Sequence, residues 1–208
     1  VGEPYSPPLV STESEERLIT IELSKSSENR MHGTVTDELK GADAYLLKSY
    51  LRNGDANTLY RVGRRLLDRI ASTAQLKQIE VVESERVRLK LKYEFSVFAS
   101  QAIEIQAFAR RPASNYAKLV SRETDLFVDQ PIHQRVIFKL SKDVSLSAVL
   151  QPRQITKGPN KFYISTHRGG KEIQVTLRLE RQKVNASSYD DFRNWCLAVE
   201  AQESFPFF

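Results

Sequence analysis

Hydrophobic residues recur along this chain with two different periods, and the switches between them mark out the elements. In RLITIELS, Ile19, Ile21 and Leu23 share a face, and in MHGTVTDELKG Val35 and Leu39 alternate with polar residues up to Gly41. Period two of this kind predicts two strands, joined by the polar turn KSSENR. The period then lengthens. In ADAYLLKSYLRNG, Leu46, Leu47, Tyr50 and Leu51 return at helical spacing, and Asn53-Gly54 supplies a stop of the left-handed C-cap type. A second helix is predicted in DANTLYRVGRRLLDRIAS, where Leu59, Val62, Leu66, Leu67 and Ile70 form one apolar stripe. Its other face carries Arg61, Arg64, Arg65, Asp68 and Arg69.

From residue 76 onward the chain reads as β. In LKQIEVVESERVRLKLKYEFSVFAS, Val87, Leu89, Leu91, Tyr93, Phe95 and Val97 point one way, while Arg86, Arg88, Lys90, Lys92 and Glu94 point the other. That predicts a long antiparallel strand with one wet face. AIEIQAFAR repeats the pattern through Ile103 and Ile105. After the irregular RRPASNYAKLVSRETD come RVIFKL, SLSAVL, KFYISTH and EIQVTLRLE, with Gly169-Gly170 as the tip of a hairpin. SSYDDFRNWCLAVEAQ is a closing helix. It begins at Ser188 as N-cap, has Asp190 and Asp191 in its first turn, and buries Phe192, Trp195, Cys196 and Val199.

Strand after strand, with helices grouped early and at the end, predicts an α+β fold that is mainly β. The expected form is an antiparallel β-sandwich with two early helices and one C-terminal helix packed on it. Residues 1–16, Pro-rich and acidic, read as a linker from an upstream domain, and 17–208 as a single domain with its helical part at about 42–73. No Gly-rich turn joins a strand to a helix, which argues against a Rossmann or P-loop nucleotide site.

Composition narrows the classes. The 208 residues hold 31 Lys and Arg against 26 Asp and Glu, a net charge of +5. Apart from Arg61, Arg64 and Arg65, the basic residues are interleaved with acidic ones, so a polyanion- or nucleic-acid-binding module is the alternative and not the leading reading. No stretch approaches the ~20 apolar residues of a membrane span. The opening VGEPYSPPLVSTESEE lacks an initiating Met and any signal peptide, so an internal piece of a longer protein is expected. The single Cys allows no internal disulfide.

Candidate chemistry is sparse. His32, His133 and His167 are far apart in sequence with no close pair, so no metal site is expected, nor any cofactor. Glu13, Glu15 and Glu16 fall in the linker, and Asp190 and Asp191 at a helix start, where solvation and the helix dipole account for them. Cys196 lies two turns into the closing helix. At about 100° per residue, Asp190 and Asp191 stand on another side of that helix, so a cysteine-dependent enzyme acting through Cys196 is a second alternative only.

Several stretches resemble the C-terminal β-rich domain of bacterial transglutaminase-like envelope proteins, which follows an N-terminal β-sandwich and a papain-like transglutaminase domain. GTVTDELKGADAYLLKSYL is similar to that domain's opening strand and helix, and LKQIEVVESERVRLKLKYEF to its paired strands. PIHQRVIFKL is similar to a later strand. SSYDDFRNWCLAVEA resembles its closing helix through Tyr189, Phe192, Trp195 and Val199. The resemblance implies a non-catalytic accessory domain in the periplasm or cell envelope. Its implied partners are the upstream transglutaminase-like domain of the same chain or another envelope protein, and the catalytic Cys, His and Asp would belong to that upstream domain. The candidate partner surface comprises the arginine face Arg61, Arg64, Arg65 and Arg69, together with Tyr116 in the irregular loop 110–125. The closing SFPFF is either a last strand or an apolar contact for another chain.

Overall fold

The computed structural model describes residues 17–26, 30–98, 102–146 and 150–208. The expected linker 1–16 lies outside them, as do the middle of the KSSENR turn and residues 147–149.

The alternating stretches form the strands that their pattern implies. β1 (Arg17–Lys25) and β2 (Arg30–Lys40) pair antiparallel, with Ile21 opposite Val35. The two helices follow: α1 (Gly41–Arg52) and α2 (Thr58–Ile70). The predicted long strand after them is a hairpin of β3 (Gln75–Glu85) and β4 (Arg88–Phe98). Val87 sits at its turn and is exposed, although its phase matches the buried Leu89, Leu91, Tyr93, Phe95 and Val97. Phase carries no information about where a strand reverses.

Next come β5 (Ile103–Gln106), the short helix α3 (Pro112–Tyr116), β6 (Leu126–Val128) and β7 (Ile132–Leu140). Then follow β8 (Arg153–Lys157), β9 (Asn160–His167), β10 (Glu172–Leu179) and β11 (Gln182–Val184), and the chain ends with α4 (Tyr189–Glu200) and β12 (Ser204–Phe207). Gly169 and Gly170, at φ +63° and +83°, turn the chain from β9 into β10 as expected. Of the strand predicted at SLSAVL, residues 147–149 lie outside the described residues, and Leu146 makes an isolated bridge to Phe207. SFPF is a strand, paired with β5.

Eight strands form one sheet in the order β3-β4-β2-β1-β7-β10-β9-β8. Its neighbours are antiparallel except in the middle, where β1 and β7 run parallel with Ile19 opposite Val136 and Ile21 opposite Phe138. The sheet is therefore mixed, a correction to the antiparallel expectation. Alternation specifies which residues face the core but not which strand lies alongside, so this pairing has no local signature. Two small ribbons, β5-β12 and β6-β11, complete the β structure.

One face of the large sheet is apolar and covered. Phe205 and Phe207 of β12 stack on Phe138 of β7 at ring-centroid distances of 5.2 and 5.3 Å. α2 lays Val62, Leu66, Leu67 and Ile70 against the β3 side, and Gly63 lets it approach Leu76 and Ile79. α4 covers the other end, where Trp195 donates its indole N–H to the Ile155 carbonyl of edge strand β8 at 3.4 Å. Ser188 stands at the N-cap of α4 as predicted, but its side chain makes no capping bond. α1 ends at Asn53, though with φ −90° and not the left-handed turn expected there.

Candidate functional site

The site begins with a helix that hides little of itself. Ala44 is the single buried residue of α1. Leu47 and Leu51 pack against the core as partly buried residues, whereas Tyr45, Leu46 and Tyr50 are 67%, 64% and 43% exposed. This corrects the predicted stripe: a run of four apolar residues is wider than the edge by which α1 touches β2 and β4. The helix is held by its end and its flank. Gly41 N–H donates to the Val87 carbonyl at 2.9 Å, and the Lys48 ammonium donates to the Glu85 carbonyl.

α2 divides the predicted arginine face. Arg61 turns to Asp55, with an ion pair at 3.0 Å, and to the Thr58 hydroxyl at 2.9 Å. The Arg61 hydrogen bond, followed by that from Thr58, holds the Asp55 carboxyl below its usual range, and the same contact raises Arg61. Arg64 pairs with Asp68 one turn on at 2.7 Å and donates to the Ala74 carbonyl at 2.5 Å. Arg65 and Arg69 are exposed and make no hydrogen bond or ion pair among the described residues. Both face a groove between α1 and α2.

The groove has a volume of about 440 Å³. Leu39, Leu47, Val62 and Leu66 make its floor, Leu46 and Tyr50 its rim, and Arg17, Asp43, Arg65, Arg69 and Arg110 its charges. Two of the four arginines are already engaged. Arg17 forks onto Asp37, Nε to Oδ1 at 2.8 Å and Nη2 to Oδ2 at 2.5 Å, with both side chains buried. Burial by itself would lower Arg17, but the charge and hydrogen bonds of Asp37 outweigh it and raise it. Arg110 stands 3.6 Å from Asp43. Among the described residues, the groove charges left without a partner are Arg65 and Arg69.

A smaller polar cavity of about 200 Å³ adjoins the groove, sharing Arg17, Asp43, Leu46 and Arg110. The buried Gln134 closes its back by exchanging hydrogen bonds with the Arg110 backbone, at 2.7 Å to its carbonyl and 3.2 Å from its N–H. His133, in the same wall, meets Glu180 at 3.1 Å.

Tyr116 does not line the groove with Arg65 and Arg69. Its hydroxyl donates to the Gln130 carbonyl at 2.6 Å and accepts from the Gln130 N–H at 3.2 Å, so it braces the loop that borders the polar cavity. Partial burial raises its pKa. The loop it belongs to is anchored: Glu200 accepts from the N–H groups of Ala113 and Ser114 at 2.7 and 3.0 Å, and Arg111 pairs with Glu203 at 2.8 Å.

Protein-family models, curated proteins and solved structures were compared with this chain, and none of them matches it.

Cys196 is fully buried in α4, where burial, and then the nearby Glu200 charge, push its thiol up to about 12. A thiol in that state is neither ionised nor reachable. Among the described residues no group of three or more His, Cys, Asp or Glu side chains is placed to hold a metal ion. Among the described residues no helix is long and apolar enough to cross a membrane.

The residues that sequence reasoning missed are Arg17, Leu46, Tyr50 and Arg110. Leu46 and Tyr50 carried a signal, since a stripe with more apolar positions than one contact can bury leaves a remainder on the surface. Arg17, at the start of β1, and Arg110, in the connection from β5 to α3, are brought to the groove from far apart in sequence, and nothing local marks them.

Proposed function

We propose that this chain is a non-catalytic interaction module that docks a protein partner through the α1–α2 groove. One observation carries the reading: an exposed apolar rim, Leu46 and Tyr50, lies beside Arg65 and Arg69, two exposed arginines with no ion-pair partner among the described residues. Aromatic, aliphatic and arginine side chains around a concave surface are the composition of interface centres. The buried, protonated Cys196 supports a non-catalytic role by leaving no accessible thiolate. In the setting that the transglutaminase-like resemblance implies, the module is an accessory domain in the periplasm or cell envelope. There the β5-β12 ribbon serves as the second leaf of a β-sandwich, and the partner is an upstream domain or an envelope protein.

Radical footprinting tests this. The parent protein, in its native envelope preparation, is compared with the isolated chain. Tyr45, Leu46 and Tyr50 are expected to oxidise several-fold more slowly in the parent, while Phe127 and Leu119, exposed elsewhere, react alike in both. Equal reactivity of α1 in the two samples would overturn the docking surface.

A further inference from the structure

Resting on the reading of the α1–α2 groove as a docking surface, we infer that its occupant is an acidic, amphipathic protein segment, with an apolar side chain on the groove floor and two carboxylates on Arg65 and Arg69. The two arginines stand four residues apart on α2, one helical turn, so their Cα atoms are separated by about 6 Å along the axis. Carboxylates one turn apart on a partner helix have that spacing, and so do alternate side chains of a strand at about 6.7 Å. Neither guanidinium is engaged by another described residue, so each can present its planar fork, which matches a carboxylate in bidentate fashion.

The floor decides what lies between the two carboxylates. Leu39, Leu47, Val62 and Leu66 offer aliphatic surface, and Asp43, the one carboxylate in the wall among the described residues, is drawn toward Arg110. A Leu, Ile or Phe side chain of the occupant loses its water there, worth about 1.5–3 kcal/mol when burial is complete. Single-stranded nucleic acid fits less well, because its bases seek aromatic platforms and this floor is aliphatic. A free anionic amphiphile would leave its flank in water, since the rim residues Leu46 and Tyr50 are themselves exposed. A protein segment brings its own cover, as in helix-in-groove recognition.

Random-peptide phage display on the purified chain tests the chemistry. It is followed by fluorescence anisotropy of the enriched peptides against the wild type and an R65E/R69E variant, with thermal melting as a control for folding. The expected result is enrichment of Asp or Glu flanking a large apolar residue. Binding should weaken by about tenfold or more in the charge-reversed variant at unchanged melting temperature. Overturning results are enriched peptides without acidic residues, binding indifferent to charge reversal, no enrichment, or displacement of the peptides by DNA or heparin at physiological salt. Protection of α1 in the footprint, with no acidic peptide selected, removes only the proposed chemistry. Loss of both removes the docking surface as well.

Discussion

At position 37 the alternation of β2 calls for an apolar side chain, and a carboxylate stands there instead. Asp37 is fully buried between Val35 and Leu39 on the core face, with Leu91 opposite. A lone carboxylate in such a place would be very costly, and Arg17 offsets that cost with two hydrogen bonds. The neighbouring Tyr93 hydroxyl is buried without a hydrogen-bond partner among the described residues, and its pKa is raised by burial first and the Asp37 charge second. Removing one member of the pair strands the other. Asp37→Ala is therefore expected to cost about 3–5 kcal/mol in urea unfolding, and an Arg17→Met/Asp37→Leu double variant to recover most of it. A double variant no more stable than Asp37→Ala would show that the pair itself, and not the stranded charge, holds this end of the sheet. The sequence marks Asp37 only as a polar residue in phase with Val35 and Leu39; its partner Arg17 is the first residue of the neighbouring strand β1, where the pattern is silent.

At the scale of elements, the alternating runs were legible and their neighbours were not. β1, β2, β4, β7, β9 and β10 all occupy stretches that period two identifies, because each has one covered face. Edge strand β8 and the three-residue β6 and β11 lack a full alternation and went unseen. α1 shows a different limit. Helical period was correct, but the depth of burial depends on how much of the helix the sheet edge can reach. Gly33 illustrates how an element can be specified by what is absent. It interrupts β2 opposite Phe95, whose ring lies over it: a Cβ built there would stand 2.1 Å from Phe95 Cζ. Phe95 is itself buried and has little room to swing away. Gly33→Ala is expected to destabilise the fold by about 1–3 kcal/mol through overpacking, measured as a lowered unfolding midpoint. Adding Phe95→Leu should return part of the loss, since a smaller side chain frees the space over position 33. If Gly33→Ala were neutral, the close approach of the Phe95 ring would not be constraining β2.

At the scale of the molecule, the fold closes where its last residues meet its middle. β12 pairs with β5, Glu200 caps the start of α3, and Arg111 reaches Glu203 just before β12. The closing helix was predicted from its stripe and the final strand only as one of two options, since four residues with a proline cannot declare a partner. This junction also gives the whole molecule a pH dependence. Glu203 is buried, its Oε2 lacks a hydrogen-bond partner among the described residues, and burial, opposed by Arg111 and reinforced by Glu200, pushes its pKa up to about 7 from 4.5. The folded state thus holds a proton that the unfolded chain gives up nearer pH 4.5. Stability from this group is fully present below the unfolded value and falls as pH rises toward 7, beyond which it changes no further. Glu203→Gln keeps the size and removes the titration. The variant is expected to match the wild type near the acid end of this window and to exceed it at about pH 8, by at most about 3 kcal/mol. Thermal melts of both proteins across about pH 5 to 8 measure the gap. Parallel curves would mean that Glu203 ionises without strain and that Arg111 fully compensates its burial. A gap that widens toward high pH would establish that the chain accepts an unfavourable carboxylate here to tie α3, α4 and β12 together.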